Sequence, residues 1–160
     1  MNLLKPVAML LFSLLFTALP NSQPKDTAVT HNVKGPFDVK LAPLDPAFKF
    51  DDNPIGRMSI DKQFHGDLEA NSKGEMLYAG GPKTNGGYVA MERVSGKLQG
   101  REGTFCLQHS ATMIDGAPHM NIIVVPGTGT GQLAGLSGTL NIVITPDGKH
   151  SYDFTYSLPN

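Results

Sequence analysis

Two titratable side chains interrupt strand faces that are otherwise apolar. Lys62 lies on a face formed by alternate residues from Met58 to Leu68, and His109 lies on one from Phe105 to Met113. Because successive side chains of a β-strand point to opposite sides, both groups should point into the protein. A buried lysine is costly unless a carboxylate pairs with it or a wet cavity receives it, and Glu92 on a third strand is a candidate partner.

The strand that carries Glu92 can be placed in two phases. One phase turns Tyr88 and Glu92 inward, and the other turns Arg93 inward instead. In the first phase Glu92 joins Lys62 and His109 in one polar network, whereas in the second Arg93 replaces Glu92. The sequence leaves both phases open.

Two interpretations of this group of residues compete. In the structural one, Lys62 and Glu92 form a buried ion pair and His109 is hydrogen-bonded. In the functional one, a polar cluster in an apolar, tyrosine-rich cavity orients a small ligand, or Glu92 or His109 acts as a catalytic group in proton transfer. The other histidines lack metal-site spacing, so neither a metal nor a cofactor is expected. The predicted ligand-binding residues are Lys62, Tyr88, Arg93, Tyr152 and Tyr156.

A glycine-rich segment imitates a dinucleotide-binding motif. Gly129, Gly131 and Ala134 match the pattern G-x-G-x-x-A after an apolar strand. That motif works only when a long helix follows it, and Gly135 and Gly138 would end a helix within about one turn. We therefore expect a crossover with a single helical turn and no nucleotide.

Composition and turn spacing predict one all-β domain. The chain has 160 residues, 40% apolar and 17% charged, with 18 Gly and 12 Pro. A chain of this composition can bury a hydrophobic core, and its near-neutral net charge argues against nucleic-acid binding. No stretch shows the apolar periodicity of an amphipathic helix, so a helical fold is not expected. Short alternating runs instead predict eight strands in an antiparallel up-and-down barrel, with the second turn at residues 71–74. Side chains nearly fill such a barrel, or it holds one small ligand.

The N-terminal residues predict export. Lys5 precedes an apolar run from Pro6 to Leu19, which is typical of a secretory signal peptide and shorter than the roughly 20 residues that span a bilayer. We predict a signal peptide at residues 1–22, a flexible segment at 23–32 and the barrel domain at 33–160. The mature protein would be periplasmic or secreted, with no stable membrane insertion.

Four sequence blocks in a fixed order resemble a known family. They are QFHGDLEA at 63–70, GYVAMERV at 87–94, GTFCLQH at 103–109 and VVPGTGTGQLAGLSG at 124–138, followed by the aromatic ending YDFTY at 152–156. Together they resemble the domain-of-unknown-function 3224 family over nearly all of the mature chain. The family is similar in fold to the allene oxide cyclase barrel, which implies an eight-stranded antiparallel barrel.

The resemblance implies less about function. Members of the family are mostly uncharacterised, so it supplies no catalytic residues. Relatives in the wider barrel group cyclise or bind hydrophobic small molecules in the lumen, which is an analogy at the level of fold. Many members lack an export signal, and the apolar N-terminus of this chain departs from them, which disfavours a cytosolic biosynthetic role.

Three functional hypotheses follow. The preferred one is an exported barrel that binds a small apolar or amphipathic molecule in its lumen. The second is a cofactor-independent cyclase or isomerase in which Glu92 or His109 transfers a proton. The third is a structural or oligomeric envelope protein with a filled barrel. A small hydrophobic ligand is the expected partner, and homo-oligomerisation is left open.

Overall fold

The computed structural model describes residues 29–45, 48, 55–81 and 84–159. In this part of the chain, eight antiparallel strands form a closed barrel in which each strand pairs with its sequence neighbours and the last pairs with the first. The predicted fold is confirmed, and so is the single helical turn, a 3-10 turn at Gly131–Leu133. The strands are β1 (Thr30–Leu44), β2 (Gly56–Phe64), β3 (Leu68–Gly80), β4 (Gly86–Leu98), β5 (Arg101–Ile114), β6 (Ala117–Val124), β7 (Ser137–Ile144) and β8 (His150–Ser157).

The predicted turn at residues 71–74 is wrong. Those residues lie within β3, and the chain turns earlier, at Gly66 and Asp67. Gly66 has a φ of 89°, a left-handed conformation that glycine adopts without strain. Gly74 serves another purpose, because a Cβ atom there would collide with the backbone of Met91 on β4. Composition alone does not distinguish a glycine that turns the chain from one that lets two strands approach closely.

The N-terminal boundary also differs from the prediction. β1 begins at Thr30, inside the segment predicted to be flexible, and Thr30 is paired with Ser157 of β8. The predicted signal peptide at residues 1–22 lies outside the described residues. In the described part of the chain, no helix has the length and apolarity needed to cross a membrane.

The barrel has two unlike ends. The closed end carries the β2–β3, β4–β5 and β6–β7 connections, and the open end carries the other four. Apolar side chains fill the half near the closed end, because alternate residues of every strand point inward there. This filled half contains Val33, Phe37, Phe64, Leu68, Val94, Leu98, Phe105, Leu107, Val124, Leu140, Phe154 and the rings of Tyr152 and Tyr156.

The glycine-rich crossover between β6 and β7 seals the closed end. Its Leu133 and Leu136 are buried in the core. The segment is held against β5 by hydrogen bonds, including Thr130 N–H to the Thr104 carbonyl at 2.8 Å and Cys106 N–H to Thr128 Oγ1 at 3.0 Å. The segment that imitates a nucleotide motif is therefore a structural cap.

The weakest seam of the barrel lies between β6 and β7. Only one residue pair, Ile123 with Thr139, joins these strands, whereas β3 and β4 are paired from Leu68–Leu98 to Gly80–Gly86. Toward the open end the facing backbone groups of β6 and β7 have no ladder partner across the seam. The barrel wall therefore has a gap in its hydrogen-bond ladder between these two strands.

Hydrogen exchange should reveal this gap. We expect roughly every second amide of residues 117–122, those directed away from β5, to exchange with little protection. The amides of β4, which is paired on both sides, should exchange only through global unfolding. Residue-resolved exchange measured by NMR makes the comparison, and equal protection of β6 and β4 would contradict the gap.

Candidate functional site

Four polar side chains converge inside the barrel between its filled half and its open end. They come from successive strands: Lys62 on β2, Ser72 on β3, Glu92 on β4 and His109 on β5. We call these four residues the polar cluster. All four are buried, which confirms the inward orientation predicted for Lys62 and His109 and selects the phase of β4 that turns Glu92 inward.

The carboxylate of Glu92 is the hub of the polar cluster. The ammonium of Lys62 donates a hydrogen bond to Glu92 Oε2 at a distance of 2.7 Å, and the hydroxyl of Ser72 donates one to Glu92 Oε1. The side chain of Glu92 is 0% exposed and that of Lys62 is 5% exposed. The structure therefore realises the ion pair that a buried lysine and a buried glutamate require.

Opposing effects set the ionisation of Glu92. Burial raises the pKa of the carboxyl, but the close imidazole of His109, the charge and hydrogen bond of Lys62 and the hydroxyl of Ser72 outweigh it. Together they lower the pKa of Glu92 to about 2. Because a proton-transfer group works best with a pKa near the working pH, Glu92 is a poor general acid or base at neutral pH.

His109 is the least satisfied member of the polar cluster. Its Nε2 lies 3.0 Å from Glu92 Oε2. The ring N–H is not directed at that oxygen, so Nε2 makes no well-aligned hydrogen bond to any described residue. The residue is only 2% exposed, and a buried nitrogen without a well-aligned hydrogen bond is uncommon in folded proteins.

Aromatic rings surround the ammonium of Lys62 on its other side. The Nζ atom lies 5.3 Å from the ring centre of Phe37 and 5.6 Å from that of Phe64. Both distances are within the range of cation–π attraction, which stabilises a desolvated cation. Lys62 is therefore engaged by Glu92 and by two rings and is closed off from solvent.

An apolar pocket of about 460 Å³ opens above the polar cluster. It occupies the open end of the barrel and falls in the size range of small-molecule sites. None of the described residues that line it is charged. The lining consists of Leu41, Met58, Met76, Tyr78, Ala79, Gly80, Gly81, Gly86, Gly87, Tyr88, Ala111, Thr112, Met113, Pro118 and Met120.

Tyr88 connects the pocket with the polar cluster. Its half-buried side chain lines the pocket, and its ring centre lies 6.5 Å from that of His109. Burial and, to a smaller extent, the negative charge of Glu92 raise the pKa of the phenol. Tyr88 therefore keeps its proton at neutral pH and presents a hydroxyl donor to the pocket.

The structure does not bring the other predicted ligand-binding residues to the pocket. Tyr152 and Tyr156 lie in the filled half, where they anchor turns of the closed end. The hydroxyl of Tyr152 donates a hydrogen bond to the His65 carbonyl and accepts one from Leu68 N–H, each at a distance of 3.0 Å. The hydroxyl of Tyr156 donates a hydrogen bond to Gln99 at a distance of 2.7 Å. Arg93 is exposed on the outer face of β4.

Sequence reasoning missed the methionines of the pocket. Met58, Met76, Met113 and Met120 all line it, and the first two are direct partners across the β2–β3 ladder. A signal was present, because Met58 shares the inward face of Lys62 and Met113 that of His109. The alternation of side chains along a strand shows which residues point inward. The position of an inward residue along the barrel axis follows only from the register between strands.

Comparisons with known proteins agree with the fold. The family described as protein of unknown function DUF3224 matches residues 33–156. A crystal structure of a DUF3224 protein of unknown function from Shewanella oneidensis MR-1 is 45% identical, covers 82% of this chain and 99% of its own, and superposes with a TM-score of 0.77. No curated protein matches. This chain therefore belongs to the DUF3224 family, whose barrel it shares.

Proposed function

We propose that the protein binds a small, predominantly apolar molecule in the pocket at the open end of the barrel. The observation that carries the proposal is the unfilled apolar volume of about 460 Å³ in a barrel whose other half is densely filled. A protein that needed only a stable barrel would gain from filling this half as well, because buried apolar contacts stabilise the fold. The unfilled pocket therefore favours the small-molecule-binding hypothesis over that of a purely structural barrel.

The lining suits an apolar ligand of variable shape. Four methionines supply flexible, polarizable side chains that can adapt to different partners. Glycines at residues 80, 81, 86 and 87 form part of the rim and add no side chain that would obstruct it. The proposal includes export of the protein, as its apolar N-terminus predicts.

The polar cluster acts in this proposal as the floor of the pocket. Glu92 holds Lys62, Ser72 and His109 together below Tyr88, and none of these four lines the pocket. The low pKa of Glu92 weighs against the cyclase or isomerase hypothesis with Glu92 as the proton-transfer group. His109 Nε2 lacks a well-aligned hydrogen bond, but His109 does not line the pocket, whereas Tyr88 and Ala111 do.

Binding of a neutral fluorescent dye tests the proposal. N-phenyl-1-naphthylamine should bind the purified protein with a rise in fluorescence and one site per chain. Met76→Asp places a carboxylate in the lining and should weaken dye binding by about tenfold or more, since an ion without a partner is costly in an apolar site.

A methionine on the outside of the same hairpin supplies the matched control. Met91 is 55% exposed on β4 and points away from the lumen, so Met91→Asp should leave the dye affinity unchanged. No binding to the wild type would refute the proposal. If Met76→Asp and Met91→Asp weaken dye binding equally, the dye does not bind in the lumen.

A further inference from the structure

We propose that the ligand is uncharged and bears one hydrogen-bond acceptor oxygen, which the hydroxyl of Tyr88 recognises at the deep end of the pocket. This inference rests on the proposed function and specifies its ligand class: a neutral alcohol, ketone or ester on an apolar body, as opposed to a carboxylate or an amine.

The absence of charge in the described lining argues for a neutral ligand. Among the described residues of the lining, the polar atoms are hydroxyl and backbone groups and none is a cation. Lys62, the cation of the polar cluster that forms the floor, is 6% exposed and already engaged by Glu92. A bound carboxylate or ammonium would lose its hydration without gaining a counter-ion, which is unfavourable.

The state of Tyr88 argues for an acceptor on the ligand. Its hydroxyl makes no hydrogen bond to any of the described residues, although the side chain is half-buried among apolar neighbours. The protonated phenol has a hydrogen to donate, and a ligand oxygen would satisfy it. Tyr78, its direct partner across the β3–β4 ladder, stands nearer the rim, where its ring packs over Gly56.

Competition by molecules with one chain and three head groups tests the ligand class. Octanol, octanoate and octylammonium are titrated against bound N-phenyl-1-naphthylamine at about pH 8, where both ions are fully charged. Octanol should displace the dye at a concentration about tenfold or more below either ion. If octanoate or octylammonium competes as well as octanol does, the inference is overturned.

Single substitutions test the role assigned to Tyr88. Tyr88→Phe removes only the hydroxyl and should weaken octanol about fivefold, the usual effect of one neutral hydrogen bond. Tyr156→Phe is the matched control, because it removes a tyrosine hydroxyl that bonds Gln99 at the closed end, outside the pocket, and it should change the octanol affinity less than twofold. Equal losses in Tyr88→Phe and Tyr156→Phe, or a loss in Tyr78→Phe without one in Tyr88→Phe, would contradict the assignment.

A charge placed in the lining should reverse the selectivity. Met120 is 40% exposed at the open end, so a lysine there can be tolerated without unfolding the barrel. Met120→Lys should make octanoate the better competitor, and an unchanged preference for octanol would count against the electrostatic argument. If the dye itself does not bind the wild type, the proposed function fails; if it binds and octanoate equals octanol, only the ligand class fails.

Discussion

Glu92→Gln should lower the free energy of unfolding by about 3–5 kcal/mol, the cost of leaving one member of a buried ion pair without its partner. The substitution keeps the shape of the side chain and leaves the ammonium of Lys62 in the interior facing a neutral amide. Lys62→Met should be similarly destabilising, because it leaves the carboxylate with only Ser72 and His109. Denaturant unfolding of each variant gives the free energies.

The double variant distinguishes an ion pair from two independent contacts. Lys62→Met combined with Glu92→Gln removes both charges and keeps a group that can bond Ser72 and His109. We expect it to be more stable than either single variant, with a coupling energy of about 3 kcal/mol. Additive losses would show that the pair is not coupled as its 2.7 Å separation implies.

An exposed ion pair beside Lys62 provides the control cycle. Asp61 of β2 and Lys73 of β3 are cross-strand partners, 2.8 Å apart, but their side chains point outward and are 51% and 79% exposed. Asp61→Asn and Lys73→Met should couple by about 0–1 kcal/mol, since solvent screens exposed pairs. The contrast between the two cycles isolates the effect of burial from the effect of pairing.

The two cycles also bear on function. If the polar cluster only stabilises the barrel, a stable double variant should bind the neutral dye as the wild type does. If the ligand contacts the polar cluster through Tyr88, dye binding should survive while the preference for octanol changes. Because the double variant should be more stable than either single variant, its binding can be compared with that of the wild type with less interference from lost stability.

Strand alternation was sufficient to predict much of the fold and part of the site. Lys62 and His109 could be placed inside because each is the one polar residue on an apolar face. Glu92 could not, since both faces of β4 carry a charge near that point. The register resolves it: Glu92 lies opposite Leu107 and Gly74, both on inward faces of their strands.

Position along the barrel axis was beyond the sequence. Tyr88 and Tyr152 share the property of pointing inward, yet the first lines the pocket and the second anchors the closed end. Which end is filled depends on the crossover that carries Leu133 and Leu136, and its glycine-rich sequence does not reveal how deeply those leucines insert. Which inward residues line the pocket and which pack in the filled half is therefore decided by how the strands close into the barrel, and this cannot be read from one strand at a time.

Acid should destabilise the protein through Glu92. Its pKa is about 2 in the folded protein, against an ordinary value of 4.5, so the unfolded chain takes up the proton first as pH falls. The stabilisation is fully present above about pH 4.5, declines between about pH 4.5 and 2, and is lost below the lower value. Linkage assigns about 3 kcal/mol to this single group.

Glu92→Gln isolates this contribution because it removes the titrating group. The wild type and the variant should differ most near neutral pH, and their free energies of unfolding should converge as pH falls toward 2. Asp147 and Asp153 also have lowered pKa values, through hydrogen bonds from Lys149 and Lys34 respectively, so both proteins should keep a shallow acid slope. If the difference in free energy of unfolding between the two proteins stays constant across this pH range, the ionisation of Glu92 is not what Lys62, Ser72 and His109 stabilise.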